Sequence, residues 1–177
     1  MKYNPTIYEI TDDNSSRFAL GNIGENPLCV IGLNPSTADD MEPDYTMKKI
    51  IGFVKRSGYD SFIMFNLYPL RSTDPQKLSI DRISALSLQN TKQIRKTLET
   101  MQEINLLAAW GETIRIRSYL SDCLFEINDS LEGLNINWLK IGDLTTSKHP
   151  RHPSRAGYKH ELSKFNITAY VHSQKFK

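Results

Sequence analysis

The chain has 177 residues, 39% hydrophobic and 24% charged, with a formal net charge of +2 at neutral pH. That length fits one domain with a core large enough to stand without disulfides or metals. A charge so near zero excludes a polycation, so any nucleic-acid surface must come from local clustering of basic residues.

Two cysteines, Cys29 and Cys123, are too few for a four-thiolate zinc or iron–sulfur centre. Cys29 sits in an apolar run and reads as a small core residue. The opening MKYNPTIYEI lacks the apolar stretch of a signal peptide. No apolar run approaches the roughly 18–20 residues of a membrane span. The expectation is a cytoplasmic protein with reduced thiols and no membrane partner.

In chain order, residues 5–10 and 17–20 read as short strands. Residues 28–33, LCVIGL, are a continuous apolar run between Pro27 and Asn34, the pattern of a strand buried on both faces. Met47, Ile50, Ile51 and Val54 recur at helical spacing within 43–56, and Gly58 supplies a stop. Residues 61–68, SFIMFNLY, predict a second buried strand, and 69–77 a loop. Residues 79–101 return to helical spacing through Ile83, Leu86, Ile94, Leu98 and Met101, with Asn90 on the same face. Residues 104–110, INLLAAW, predict a third strand stopped by Gly111. A helix over 113–125, a fourth strand over 137–141, a loop over 142–155 and a last helix over 158–165 complete the chain.

Apolar strands alternating with helices predict an α/β fold, three layers (α/β/α) around a mostly parallel four-stranded sheet. One domain is expected, with its core at about residues 17–165. In such sheets ligands bind beyond the carboxyl ends of the strands. The unusual polar residues collect there: NPST after the first buried strand, Asn66 and Arg71 at the second, Trp110 and Gly111 at the third, TTSKHPRHPSR after the fourth.

Each motif has a structural and a functional reading. Asn34-Pro35-Ser36-Thr37 either ends a strand with a turn and a helix cap, or holds a substrate or water. Asn66, inside an apolar strand, either bonds neighbouring backbone or offers its paired donor and acceptor to the edge of a base. Asn90 reads as an internal hydrogen bond. Residues 145–159 carry four Lys or Arg and no acid. They form either a solvated loop or one that grips phosphate through Lys148, Arg151 and Arg155 and delivers His152, stiffened by Pro150 and Pro153. The histidines lack metal-ligand spacing, and no metal or cofactor is expected. Asp39, Asp40, Glu42 and Asp44 read as a solvated loop with helix N-terminal charge rather than a cation site. No phosphate-binding glycine loop, nucleophile elbow or dinucleotide fingerprint is present, which disfavours kinases, α/β-hydrolases and nicotinamide enzymes.

Five ordered motifs, GLNPSTADD, PDYTMKKIIGF, NLYPLRSTDP, AAWG and KHPRHPSR, closely resemble a bacterial and phage family, domain-of-unknown-function family 1643. The resemblance covers about residues 17–155 and carries no established activity. A more distant resemblance, to the uracil-DNA glycosylase superfamily, rests on Gly32-Leu33-Asn34-Pro35, Asn66 with Arg71, Gly111, and His152-Pro153-Ser154. It implies a glycosylase-like fold in which Asn34 positions a water, Asn66 reads a base and His152 steadies the leaving base. The loop with Ser154 would hold the DNA backbone, and Pro35, Ser36, Thr37, Arg71 and Trp110 would complete the pocket wall. After the His-Pro-Ser loop only Tyr158 is bulky enough to serve as a DNA wedge. The expected partner is therefore DNA or a nucleotide-like small molecule. Three alternatives stay open: an N-glycosidic hydrolase acting on DNA, an enzyme or sensor for a free nucleotide, and a non-catalytic nucleic-acid-binding module.

Overall fold

The computed structural model describes residues 3–174; the first two and last three residues of the expected domain lie outside it. Seven strands form one sheet in the order β1-β2-β4-β3-β5-β6-β7. They are β1 (Ile7–Ile10), β2 (Arg17–Gly21), β3 (Pro27–Gly32), β4 (Ser61–Asn66), β5 (Ile104–Ala108), β6 (Ile136–Ile141) and β7 (Leu162–Lys164). The four central strands β4-β3-β5-β6 are parallel. β1 and β2 extend one edge and β7 the other, all antiparallel to their neighbours. The expected four strands are thus the parallel heart of a wider sheet.

Both faces of that heart are buried by alternation along each strand. Cys29 and Ile31, Ile63 and Phe65, and Leu106 and Ala108 enter one core. Leu28 and Val30, Phe62 and Met64, and Leu107 enter the other. Helix α1 (Tyr45–Arg56) covers the second face through Met47, Ile50, Phe53 and Val54. The first face is covered by α2 (Ser84–Leu98), α3 (Tyr119–Ser130) and α4 (Ile167–Gln174). The layers are therefore α/β/α. Among the described residues no helix is long and apolar enough to cross a membrane.

Two expected helices differ. Within 113–125 the chain first makes a short 3-10 turn, Glu112–Ile116, and α3 begins only at Tyr119. Arg117 lies extended between them, its guanidinium donating to the carbonyls of Gln76, Leu78 and Ser79. The expected helix over 158–165 gives way to β7, which pairs with the edge of β6 (Leu139 opposite Lys164), and the last helix follows at Ile167–Gln174. An open strand edge there outweighs local helical preference.

The connection leaving β3 runs through α1 on one face. The connection leaving the adjacent β5 runs through α3 on the other. The chain diverges between these two carboxyl ends, the place where open α/β sheets form a crevice.

Candidate functional site

A cleft of about 660 Å³ opens at this carboxyl edge. Every parallel strand contributes the residues that follow it: Asn34 and Ser36 after β3, Ser72 and Thr73 after β4, Gly111 and Glu112 after β5, and Thr145, Arg151, His152, Ser154 and Arg155 after β6. The start of antiparallel β2 adds Arg17, and the entrance of α1 adds Asp44, Thr46 and Met47.

Asn66, the last residue of β4, lines this cleft. It faces the same side as Phe62 and Met64, yet its side chain is an amide. The residue is 1% exposed, and neither its Oδ1 nor its Nδ2 has a hydrogen-bond partner among the described residues. A buried amide with both groups unmade costs about 1–3 kcal/mol for each group. Two features hold it there. Asn90 of α2 donates to the carbonyls of Asn66 and Leu67, at 2.9 and 3.3 Å, so the expected internal hydrogen bond of Asn90 fixes the strand end. Gly32 faces Asn66 across the parallel ladder, and a Cβ there would lie 2.9 Å from Asn66 Oδ1.

His152 lines the same cleft. It caps a 3-10 turn, Pro153–Arg155, and its Nδ1 accepts the Ser154 backbone N–H at 3.3 Å and lies 2.7 Å from the Ser154 hydroxyl. A backbone N–H can only donate, so Nδ1 is the acceptor and the neutral ring carries its proton on Nε2. Burial pushes His152 down to about 4, outweighing the Asp44 carboxylate, which acts in the opposite sense. At neutral pH the ring is therefore uncharged, with its N–H at Nε2. Gly111, at φ +69°, lets this loop approach; a Cβ there would sit 3.0 Å from the His152 Cβ.

Asn34 lines the cleft with its amide turned back into the structure: Nδ2 donates to the carbonyls of Pro35 and Ser72, both at 2.9 Å. Its Oδ1 is the acceptor that remains for a ligand or a water. Ser36 and Ser154 also line the cleft, as do Arg151, anchored through Nε to the Asp143 carbonyl, and the exposed Arg155.

Five expected residues do not line it. Pro35 is buried and its carbonyl accepts from Ser72 N–H; Thr37 is exposed. Arg71 braces the 34–38 loop, donating to the carbonyls of Ser36 and Ala38, to Tyr8 Oη and to Asn14 Oδ1. Lys148 is exposed. Trp110 is fully buried behind the sheet, packed on Trp138, Phe165 and Tyr170 with its Nε1–H donated to Tyr170 Oη. The glycine after it reaches the cleft instead. That aromatic cluster also holds His149, whose Nδ1 lies 2.7 Å from Tyr170 Oη, so α4 supports the loop that carries His152.

Tyr158, the one bulky residue after the loop, lies on Gly52 of α1 between Lys49 and Arg56, whose cations sit 3.8 and 4.2 Å from its ring centroid. It is a clamp on the helix rather than a projecting wedge. Asp39 accepts from the backbone of Met41 and Glu42, and Asp44 caps α1 through Met47 N–H. Among the described residues no group of three or more His, Cys, Asp or Glu could hold a metal ion.

Two further residues complete the cleft: Asp44, read from the sequence only as helix N-terminal charge, and Arg17, which gave no site signal. Arg17 opens the short strand expected over 17–20, and the antiparallel pairing of β2 with β4 brings it to this edge.

The fold and site define an α/β domain with a polar cleft at the carboxyl edge of its parallel strands. The family described as "Protein of unknown function (DUF1643)" matches over residues 17–154, and the chain belongs to it. No curated protein and no solved structure gives a match.

Proposed function

We propose that the cleft binds a nucleobase, in a domain of uracil-DNA-glycosylase-like fold, and that its chemistry is hydrolysis of an N-glycosidic bond in DNA. The observation that carries this reading is the Asn66 amide: buried, without a hydrogen-bond partner among the described residues, and lining a cleft large enough for a nucleoside. One amide offers a donor and an acceptor side by side, the pairing a base edge requires. Binding would satisfy both groups, which offsets the penalty of their burial.

The other walls suit the reaction. Asn34 Oδ1 can accept from a water and orient it toward the anomeric carbon. The C–N bond breaks with its electron pair leaving on the base, while the water oxygen bonds to the sugar carbon. His152 Nε2–H is a neutral donor for the negative charge that develops on the base, and neutrality avoids the cost of a buried cation. The water's proton finally balances the departed base. Arg151, Arg155 and Lys148 are the groups for the sugar–phosphate backbone, and that contact should weaken with salt. The base must leave its stack to enter the cleft.

A second reading, an enzyme or sensor for a free nucleotide, is favoured by one feature: Tyr158 is clamped on α1 and does not project as a wedge. The test is a panel of oligonucleotides carrying uracil, hypoxanthine, hydroxymethyluracil and other modified bases, followed by alkaline cleavage of abasic sites. A nick lost in both Asn34→Ala and His152→Ala is expected. Salt-sensitive binding without any nick would leave a non-catalytic reader, and neither nick nor DNA binding would move the assignment to free nucleotides.

A further inference from the structure

Arg17 is 2% exposed, and its guanidinium is poorly provided for. One nitrogen, Nη1, donates to the Ala38 carbonyl at 2.6 Å, while Nε has no partner among the described residues. The same carbonyl also accepts from Arg71 Nη1 at 3.2 Å, so two guanidinium groups converge on one neutral oxygen. Among the described residues the ion pairs are Arg82–Glu126 and Arg95–Glu99, and neither involves this couple. Burial, with the Arg71 charge beside it, draws Arg17 down to about 10, which leaves it cationic at neutral pH. A buried cation with no carboxylate in contact is costly, and a guanidinium fork suits the oxygens of a phosphate.

Arg17 lines the same cleft as Asn66. The acids on that cleft are Asp44, which spends Oδ1 on the helix cap, and Glu112; against them stand Arg17, Arg151 and Arg155.

We infer that the β2 side of the cleft is an anion subsite in which Arg17 takes a phosphate group of the ligand. The subsite stands on Arg17 alone; that the rest of the ligand is a nucleoside rests on the reading above. The phosphate has two sources, the monoester of a free nucleotide or a diester within a strand.

The experiment is calorimetric titration with inorganic phosphate, with deoxynucleosides including deoxyuridine, with their 5′-monophosphates, and with short single strands. Wild type is compared with Arg17→Met and with Arg17→Lys, which keeps the charge and serves if the methionine variant fails to fold. A 5′-monophosphate should bind about 10- to 100-fold more tightly than its nucleoside, the range of a charge-assisted hydrogen bond. That ratio should collapse toward one in Arg17→Met and fall in Arg17→Lys, which loses the fork. Preference for the monophosphate over the strand names the free nucleotide; the reverse names DNA. Equal affinity for nucleoside and monophosphate overturns the subsite and leaves the base reading standing. Phosphate binding lost with Arg17, with no nucleoside binding at all, keeps the subsite and overturns the base reading. An unchanged ratio in both variants assigns Arg17 to the support of the 34–38 loop alone.

Discussion

At the scale of single residues, the cleft holds polar groups whose burial costs stability. Asn66 is the clearest case. Replacing it by Ala removes two hydrogen-bonding groups that are unmade among the described residues, at a residue that lines the cleft. Urea unfolding should show Asn66→Ala at least as stable as wild type, by a gain of about 1 kcal/mol, while ligand binding is lost. A loss of 2 kcal/mol or more would place Asn66 among structural residues. Gly32→Ala approaches the same atom from the neighbouring strand, with the Met64 methyl 2.4 Å and Asn66 Oδ1 2.9 Å from the new Cβ. The methyl can swing aside; the amide would have to turn. Nucleoside binding should therefore fall about tenfold or more in Gly32→Ala, a shift on the order of 1.4 kcal/mol. Unchanged affinity would show that the amide is not read.

At the scale of elements, the entrance of α1 joins folding to the site. Asp44 caps the helix by accepting Met47 N–H at 2.8 Å, and its charge also faces Arg17 and His152. Two substitutions separate these roles. Asp44→Ala removes the cap and should cost about 0.5–2 kcal/mol in denaturant unfolding, whereas Asp44→Asn keeps a capping oxygen and should stay close to wild type. Both remove the carboxylate that opposes the depression of His152, so the histidine should titrate lower still in each, which proton NMR of the imidazole would record. Equal stability of the two variants would deny the cap.

The elements also divide by how openly the sequence announces them. Strands β3, β4 and β5 were legible because both faces are buried, which writes a largely apolar run into each; β6, INWLKI, is only partly covered and was legible from Trp138, Leu139 and Ile141. Helix α1 was legible from its spacing and its Gly58 stop. β7 was not: three residues, Leu162–Lys164, become a strand only because β6 offers an edge. Asn34 and Asn66 were legible as polar residues placed where apolar strands stop, and His152 from the basic, proline-stiffened loop that follows the fourth. Arg17 was not, because one charge at the start of a short strand gives no local sign of the edge it will reach. Trp110 misled for the opposite reason: it lies at the right strand end, but its bulk and indole turn into the core behind the sheet.

At the scale of the whole molecule, the half-buried neutral His152 ties stability to pH. The unfolded chain takes up its proton near 6.5, the folded protein only near 4. This contribution is complete above pH 6.5 and is lost as pH falls toward 4, because in that window only the unfolded state binds the proton. Unfolding followed across pH 7 to 4 should show that decline, and His152→Asn should flatten it. A histidine titrating near 6.5 in the folded protein would remove both the slope and the case for a neutral donor.

The central claim is that the Asn66 amide meets a base edge, and its own resonance is the most direct witness. With the side-chain amides labelled with nitrogen-15, the protein would be titrated with uracil, thymine, cytosine, adenine, guanine and hypoxanthine. The account predicts that one class of base moves the Asn66 Nδ2 signal downfield, as a new hydrogen bond should, and that this base fails to bind folded Asn66→Ala. A signal unmoved by every base, or a base that binds Asn66→Ala as tightly as wild type, would contradict it.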